Sequence, residues 1–305
     1  MFKSAKDVYD KLTKSGYIAN KQIALTVYLA YKLNKPVSIQ GAPGVGKSQL
    51  AKSISQILNN EDPIRLQCYD GLTADEALYS WNYQKQLLYI QSSKKDWKDM
   101  EDILYSEQFL SPRPLYKAIT SNEQKVLLID ELDKADEDFE SFLLEFLGEQ
   151  QITINETKTI KASSTPLVFI TSNDKRELSD AFKRRCLYLY IEHPDIQTEA
   201  NIIHSKIPNI DNVLLTQITE FVNKVRKDKL DKVPSISESI DWARTLVQLN
   251  VFNLTEDIIK QTLNILFKTQ NDIQLETRKA ELYSKQLSQE SKVTVTNPID
   301  DEWDF

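Results

Sequence analysis

Along the 305-residue chain the spacing of hydrophobic positions changes several times, and each change marks an element. In residues 1–35, Val8 and Leu12, then Ile23, Val27, Ala30 and Tyr31, recur at steps of three and four, which predicts two helices separated at Gly16. Residues 37–40 are a short β-type run, and residues 63–69 alternate as a strand before an Asp70-Gly71 turn. Residues 115–120 predict another short helix. Residues 126–129 are continuously apolar, the pattern of a strand buried on both faces of a parallel sheet. Phe139, Phe142, Leu143, Phe146 and Leu147 form the apolar stripe of a helix that Gly148 is expected to stop. A hairpin is expected over 151–162, a third buried strand over 166–173 and a last strand over 187–191.

Beyond His193-Pro194-Asp195 the strand patterns cease. Leu214, Ile218, Phe221, Val222 and Val225 form one helix face, Ile240, Ala243, Leu246 and Val247 a second, and Ile258, Ile259, Leu263, Leu266 and Phe267 a third. Thr255, followed by two acids, is a fitting start for that third helix, and a weaker charged helix is expected over 274–290. The expectation is an α/β domain over residues 1–193, a small all-α domain over 194–292, and an acidic tail over 293–305 with no internal repeat. Residues 72–91 gather Trp81, Tyr83, Leu87, Leu88 and Tyr89 in a short stretch, which is either a packed insertion or a contact surface.

The strand at 37–40 runs into Gly41-Ala42-Pro43-Gly44-Val45-Gly46-Lys47-Ser48-Gln49 and then an amphipathic helix. G-x-x-x-x-G-K-S between strand and helix is the pattern of a phosphate-binding loop. Its glycines let backbone N–H groups approach phosphate oxygens, and the helix start offers its positive dipole end to the same charge. In such a loop Lys47 reaches the β- and γ-phosphates while the Ser48 hydroxyl ligands Mg²⁺.

The strand at 126–129 ends in Asp130 and Glu131. Asp130 there can hold Mg²⁺ directly or through water, and Glu131 can polarise the water that attacks the γ-phosphate; the bland alternative is two solvated acids capping a strand. Asn173 closes the third buried strand, where an amide can orient that water. Arg184 and Arg185 precede the last strand, placed either to serve a neighbouring subunit's nucleotide or to complement a helix C-terminus.

Composition narrows this picture only slightly. A net charge of −7 argues against nonspecific nucleic-acid binding, which needs clustered Lys and Arg. Cys68 and Cys186 match no metal or redox spacing and read as buried small hydrophobes. No run approaches the roughly 20 apolar residues of a membrane span, and the first residues lack an apolar signal core, so no membrane insertion and a cytoplasmic location are expected.

The order of phosphate loop, second strand, acidic-ended strand, Asn-ended strand and arginine-tipped strand, followed by a helical domain, resembles the AAA+ ATPases. Within them the chain is most similar to the MoxR family, near its CoxD and CbbQ branch. The stretches carrying this are residues 41–48, 76–88, 128–135, 170–173, 178–185 and 234–244, within a resemblance that spans about 18–290. It implies a P-loop NTPase core with a helical lid, ATP and Mg²⁺ as cofactors, Asn173 as sensor 1 and Arg185 as the arginine finger, with Arg184 as its substitute. It further implies insertions near 72–91 and 151–162, a homo-oligomeric and often hexameric ring, a protein client or metalloenzyme to be remodelled, and a von Willebrand factor A domain partner. One departure concerns sensor 2, an arginine in many such proteins. Glu238 stands in its place, inside a capping-box pattern with Ser235, and Arg244 is the alternative further along the helix. Two other classes compete with a remodelling ATPase: an ATP-switched assembly scaffold with little turnover, and a DNA-linked motor.

Overall fold

The computed structural model describes residues 2–59, 61–93, 103–154, 158–173 and 175–287. The expected tail at 293–305 lies outside them, as do the hairpin tip at 155–157 and the end of the last helix beyond 287. The chain divides into two compact units: Met1–Lys11, Lys21–Gln40 and Ser48–Tyr190 form one, and Leu12–Asn20, Gly41–Lys47 and Ile191–Phe305 the other.

The first unit is built on a five-stranded parallel sheet. Its strands are β1 (Val37–Gln40), β2 (Ile64–Gln67), β5 (Val126–Asp130), β8 (Leu167–Ser172) and β9 (Leu187–Tyr190), in the spatial order β2-β5-β8-β1-β9. Every residue of β5 and β8 is buried, as continuous apolar strands in the middle of a two-faced sheet must be. Helices α1 (Ala5–Lys14), α2 (Lys21–Leu33), α3 (Lys47–Asn59), α6 (Pro114–Thr120), α7 (Glu137–Glu149) and α8 (Asp180–Arg185) alternate with these strands along the chain. The register pairs Gln67 with Asp130, Ile129 with Ile170 and Gln40 with Ser172, so the carboxyl ends of four strands finish along one edge.

Residues 72–91 fold as α4 (Ala74–Leu78), β3 (Tyr79–Trp81) and the start of α5 (Tyr83–Ser92), with β3 antiparallel to β4 (Leu110–Pro112). The stretch is packed on one side and leaves apolar side chains exposed on the other. Trp81, Tyr89 and Ile90 pack against Leu104 and Phe109, whereas Tyr83, Leu87 and Leu88 are exposed, Tyr83 by 68%. The expected hairpin is present as β6 (Gln151–Ile154) paired with β7 (Lys158–Lys161).

Two expectations need correction. Gly148 does not stop its helix: α7 runs through it to Glu149, and Gln150 takes the left-handed C-cap conformation at φ 50°, its N–H on the Phe146 carbonyl at 2.9 Å. The glycine serves another element, because a Cβ at 148 would lie 3.0 Å from Arg185 Nη1. Cys186 is only half-buried, while Cys68 is fully buried as expected. Burial pushes the thiols of both up to about 12, so neither behaves as a reactive thiolate.

In the second unit, α9 (Ile196–Lys206), α10 (Asn212–Val225), α11 (Ile236–Gln248), α12 (Glu256–Leu266) and α13 (Gln270–Leu287) enclose one core around Phe221, Trp242, Leu246 and Leu263. Trp242 is fully buried with its Nε1–H on Thr262 Oγ1 at 2.8 Å, and truncating such a side chain to Ala costs about 3–5 kcal/mol. A buried bidentate pair, Arg226 to Glu199 at 2.5 and 2.8 Å, links the end of α10 to α9. Among the described residues, no helix is long and apolar enough to cross a membrane.

Candidate nucleotide site

The glycine-rich loop leaves β1 at Gln40 and enters α3 at Lys47. Two glycines are required by their surroundings. At Gly44, φ is 75° and a Cβ would lie 2.3 Å from Ser235 Oγ; at Gly41 a Cβ would lie 2.2 Å from the Ile191 carbonyl oxygen. Val45 is buried beside the exposed Pro43, and Ala42 and Gly46 are half-buried. Lys47 is only 6% exposed, and its ammonium donates to the carbonyls of Gly41 at 2.7 Å and Ala42 at 2.9 Å. A lysine so folded holds its charge against the carbonyls of its own loop. Gln49 is exposed and its Nε2 donates to Ser53 Oγ at 3.5 Å.

In the first unit, Ser48 donates to Asp130 Oδ1 at 2.8 Å, and Thr171 donates to the same oxygen at 2.6 Å. Arg65, from the neighbouring strand β2, donates to Asp130 Oδ2 through Nε at 3.0 Å and Nη2 at 2.6 Å. Four donors thus fix the carboxylate of Asp130, which is 3% exposed. Glu131 leaves the strand in the left-handed region (φ 58°, ψ 50°), unusual for a residue with a Cβ. Its Oε1 accepts from Asn173 Nδ2 at 3.1 Å, and its Oε2 from Gln67 Nε2 at 2.9 Å and Lys134 Nζ at 2.5 Å. The hydrogen bond from Lys134 is the main cause that holds the Glu131 carboxyl below its usual range. Asp133, also buried, accepts the backbone N–H groups of Asn173 at 3.2 Å and Lys175 at 3.1 Å, which fixes the strand end carrying Asn173.

Asp130, Glu131 and Asn173 are therefore brought together, with Ser48 joined to them. The arginines are not. Arg185 is exposed and its guanidinium folds back over Gly148 to the Leu144 carbonyl, in the last turns of α7, while Arg184 is exposed beside it. Glu238 accepts the Ser235 N–H at 2.8 Å, the capping-box bond expected of it. Arg244 lies on the exposed side of α11 with Asp241 at 3.6 Å. Arg65, Gln67, Lys134 and Thr171 also belong to the acidic cluster, a place that the sequence pattern does not assign to them.

The donor set suits Mg²⁺ with nucleotide phosphates. Because the Ser48 proton is given to Asp130, the hydroxyl lone pairs remain for a cation. Among the described residues no three His, Cys, Asp or Glu side chains converge on a metal position, and Mg²⁺ held mainly by phosphates and water needs no such cage.

Residues 36–186 match the model of the AAA domain (dynein-related subfamily). Among curated proteins, chaperone protein ClpB of Mycoplasma genitalium is 25% identical over 204 residues, which are 63% of this chain and 26% of that protein. The chain thus spans about a quarter of the length of this relative. Among solved structures, NtrX from Brucella abortus in complex with ATP aligns at 13% identity and a TM-score of 0.44, over 75% of this chain and 50% of that one. Residues 36–186 thus resemble an AAA domain over just under half of the chain, and the parallel sheet with its glycine-rich loop and acidic strand end has the AAA+ P-loop NTPase fold.

Proposed function

We propose that this protein is a Mg²⁺-dependent ATP hydrolase that works as a homo-oligomeric, hexameric ring and remodels a protein client or matures a metalloenzyme, in the manner of the MoxR family. The observation that carries the reading is the cluster of Ser48, Asp130, Glu131 and Asn173, in which a base and an amide stand beside a hydroxyl and carboxylate suited to a divalent cation. Residues 41–49 hold the phosphates, with Lys47 supplying a positive charge. When bound, Mg²⁺ neutralises the charge that develops on the phosphates. Glu131 takes the proton of the attacking water once its carboxylate leaves Lys134, and Asn173 aims that carboxylate through Oε1. Arg185 reaches a neighbour's nucleotide after release from Leu144, with Arg184 as its substitute.

The lid of this reading comprises residues 194–292, and a von Willebrand factor A domain protein is the partner it implies. A location in the cytoplasm, no membrane insertion and no nucleic-acid partner complete it. The test is trans complementation. Lys47→Ala has an intact finger but loses ATP binding, and Arg185→Ala keeps ATP binding but loses most turnover; a mixture of the two regains hydrolysis where a sound pocket meets a sound finger. Full turnover by Arg185→Ala alone would move the role to Arg184, and failure of Lys47→Ala to weaken ATP binding would end the reading.

A second reading, the ATP-switched scaffold with little turnover, is favoured by one observation. Lys134 and Gln67 both occupy Glu131 Oε2, an arrangement that restrains a base. Strongly ATP-dependent assembly with slow phosphate release would support it.

A further inference from the structure

The buried interior of β8 carries one hydroxyl that touches both acids at the end of β5. Thr171, 1% exposed, donates to Asp130 Oδ1 at 2.6 Å and accepts the Glu131 N–H at 2.9 Å. The directions are dictated by chemistry, since an ionised carboxylate only accepts and an amide N–H only donates. The amide bond matters because Glu131 holds φ 58° and ψ 50°, which a residue with a Cβ keeps only where its surroundings hold it there. That left-handed step accompanies the departure of the Glu131 side chain from the strand to meet Asn173 Nδ2. The carboxylate bond matters because it holds Asp130 Oδ1 at a point that Ser48 also reaches, while Arg65 fixes Oδ2.

We infer that Thr171 is a positioning residue for the proposed hydrolysis: one hydroxyl holds the rotamer that aims Asp130 at Ser48 and the backbone turn that presents Glu131. The inference rests on the ATPase reading for its catalytic consequence but not for the contacts themselves. A hydroxyl that merely satisfies buried groups would affect stability and leave the balance between binding and turnover alone.

The experiment compares Thr171→Val, which keeps the shape and removes both bonds, with Thr171→Ser, which keeps both. Thr171→Val is expected to lower kcat about 10- to 100-fold, the range for losing a hydrogen bond to a charged group, with ATP affinity nearly unchanged. Its Mg²⁺ half-saturation rises, and Thr171→Ser restores both quantities. In a Glu131→Gln background the Thr171→Val loss shrinks, since residues acting as a unit are not additive. A readout independent of turnover is amide exchange in the nucleotide-free protein. The Glu131 amide exchanges as slowly as β5 amides in wild type and in Thr171→Ser, and quickly in Thr171→Val, while the other β5 and β8 amides keep their protection. Should Thr171→Val not fold, the wild-type and Thr171→Ser exchange rates decide the matter. Unchanged kcat in folded Thr171→Val, or a wild-type Glu131 amide exchanging like an exposed loop, overturns the inference. Absence of ATPase activity in wild type would instead overturn the function reading, and the exchange rates would still report on Thr171.

Discussion

Ser48 donates a hydrogen bond to Asp130 Oδ1 at 2.8 Å, so in the proposed ATP site the two would serve Mg²⁺ as one device, the carboxylate keeping the serine hydroxyl turned with its lone pairs open to a cation. Asp130→Asn is therefore expected to raise the Mg²⁺ concentration for half-maximal turnover about 10- to 100-fold, as removal of an outer-shell partner does. Titrating Mg²⁺ at saturating ATP checks this. An unchanged half-saturation would detach Asp130 from the metal.

Arg185 and Gly148 make a second testable pair. Gly148 lies inside α7, where Ala is preferred by up to about 1 kcal/mol, and the atom its Cβ would meet, 3.0 Å away, is at the far end of a flexible, exposed arginine. Gly148→Ala should raise the denaturant midpoint, because the guanidinium has room to shift. Arg185→Ala should cost no more than about 1 kcal/mol of unfolding free energy, the range for a cation at exposed helix C-terminal carbonyls. A loss of several kcal/mol on Arg185→Ala would make this arginine a structural fixture of α7 and unsuited to leave it.

The pH dependence of stability has a source far from the acidic cluster. Glu276 is fully buried, with one carboxylate oxygen unpartnered, and burial raises its pKa above the ordinary 4.5 although Lys279 opposes this from 3.2 Å. The folded chain then holds this proton to higher pH than the unfolded chain. Stability from this group is full below 4.5 and is lost as pH rises through the raised value, so the group favours folding less at neutral pH than at pH 4. Glu276→Gln should raise the unfolding midpoint at pH 7 and give no comparable gain at pH 4, since Lys279 keeps Asp228 at 2.9 Å. Equal shifts at both pH values would assign the effect to packing.

Features carried by neighbours in sequence are legible without the fold. The glycine-rich loop, the acids ending a buried apolar strand and the Ser235–Glu238 capping box each declare themselves within a few residues. Arg65 and Thr171 do not, because they reach Asp130 across 65 and 41 positions, through the register of β2 and β8 against β5. A polar residue inside a strand pattern carries no sign of which neighbour it will face. Gly148 misleads for a related reason: a glycine late in a helix looks like a C-cap, and only the arrival of Arg185 from 37 positions away (185 − 148) explains it.

Water activation by Glu131 at a Mg-ATP site is tested most directly by measuring ATP binding and phosphate release side by side on wild type and Glu131→Gln. The expected result is equal ATP affinity, with phosphate release about 10²- to 10⁴-fold slower in the variant, the usual contribution of a general base. Equal rates of phosphate release from the two proteins, or a wild type that binds Mg-ATP and releases no phosphate at all, would contradict it.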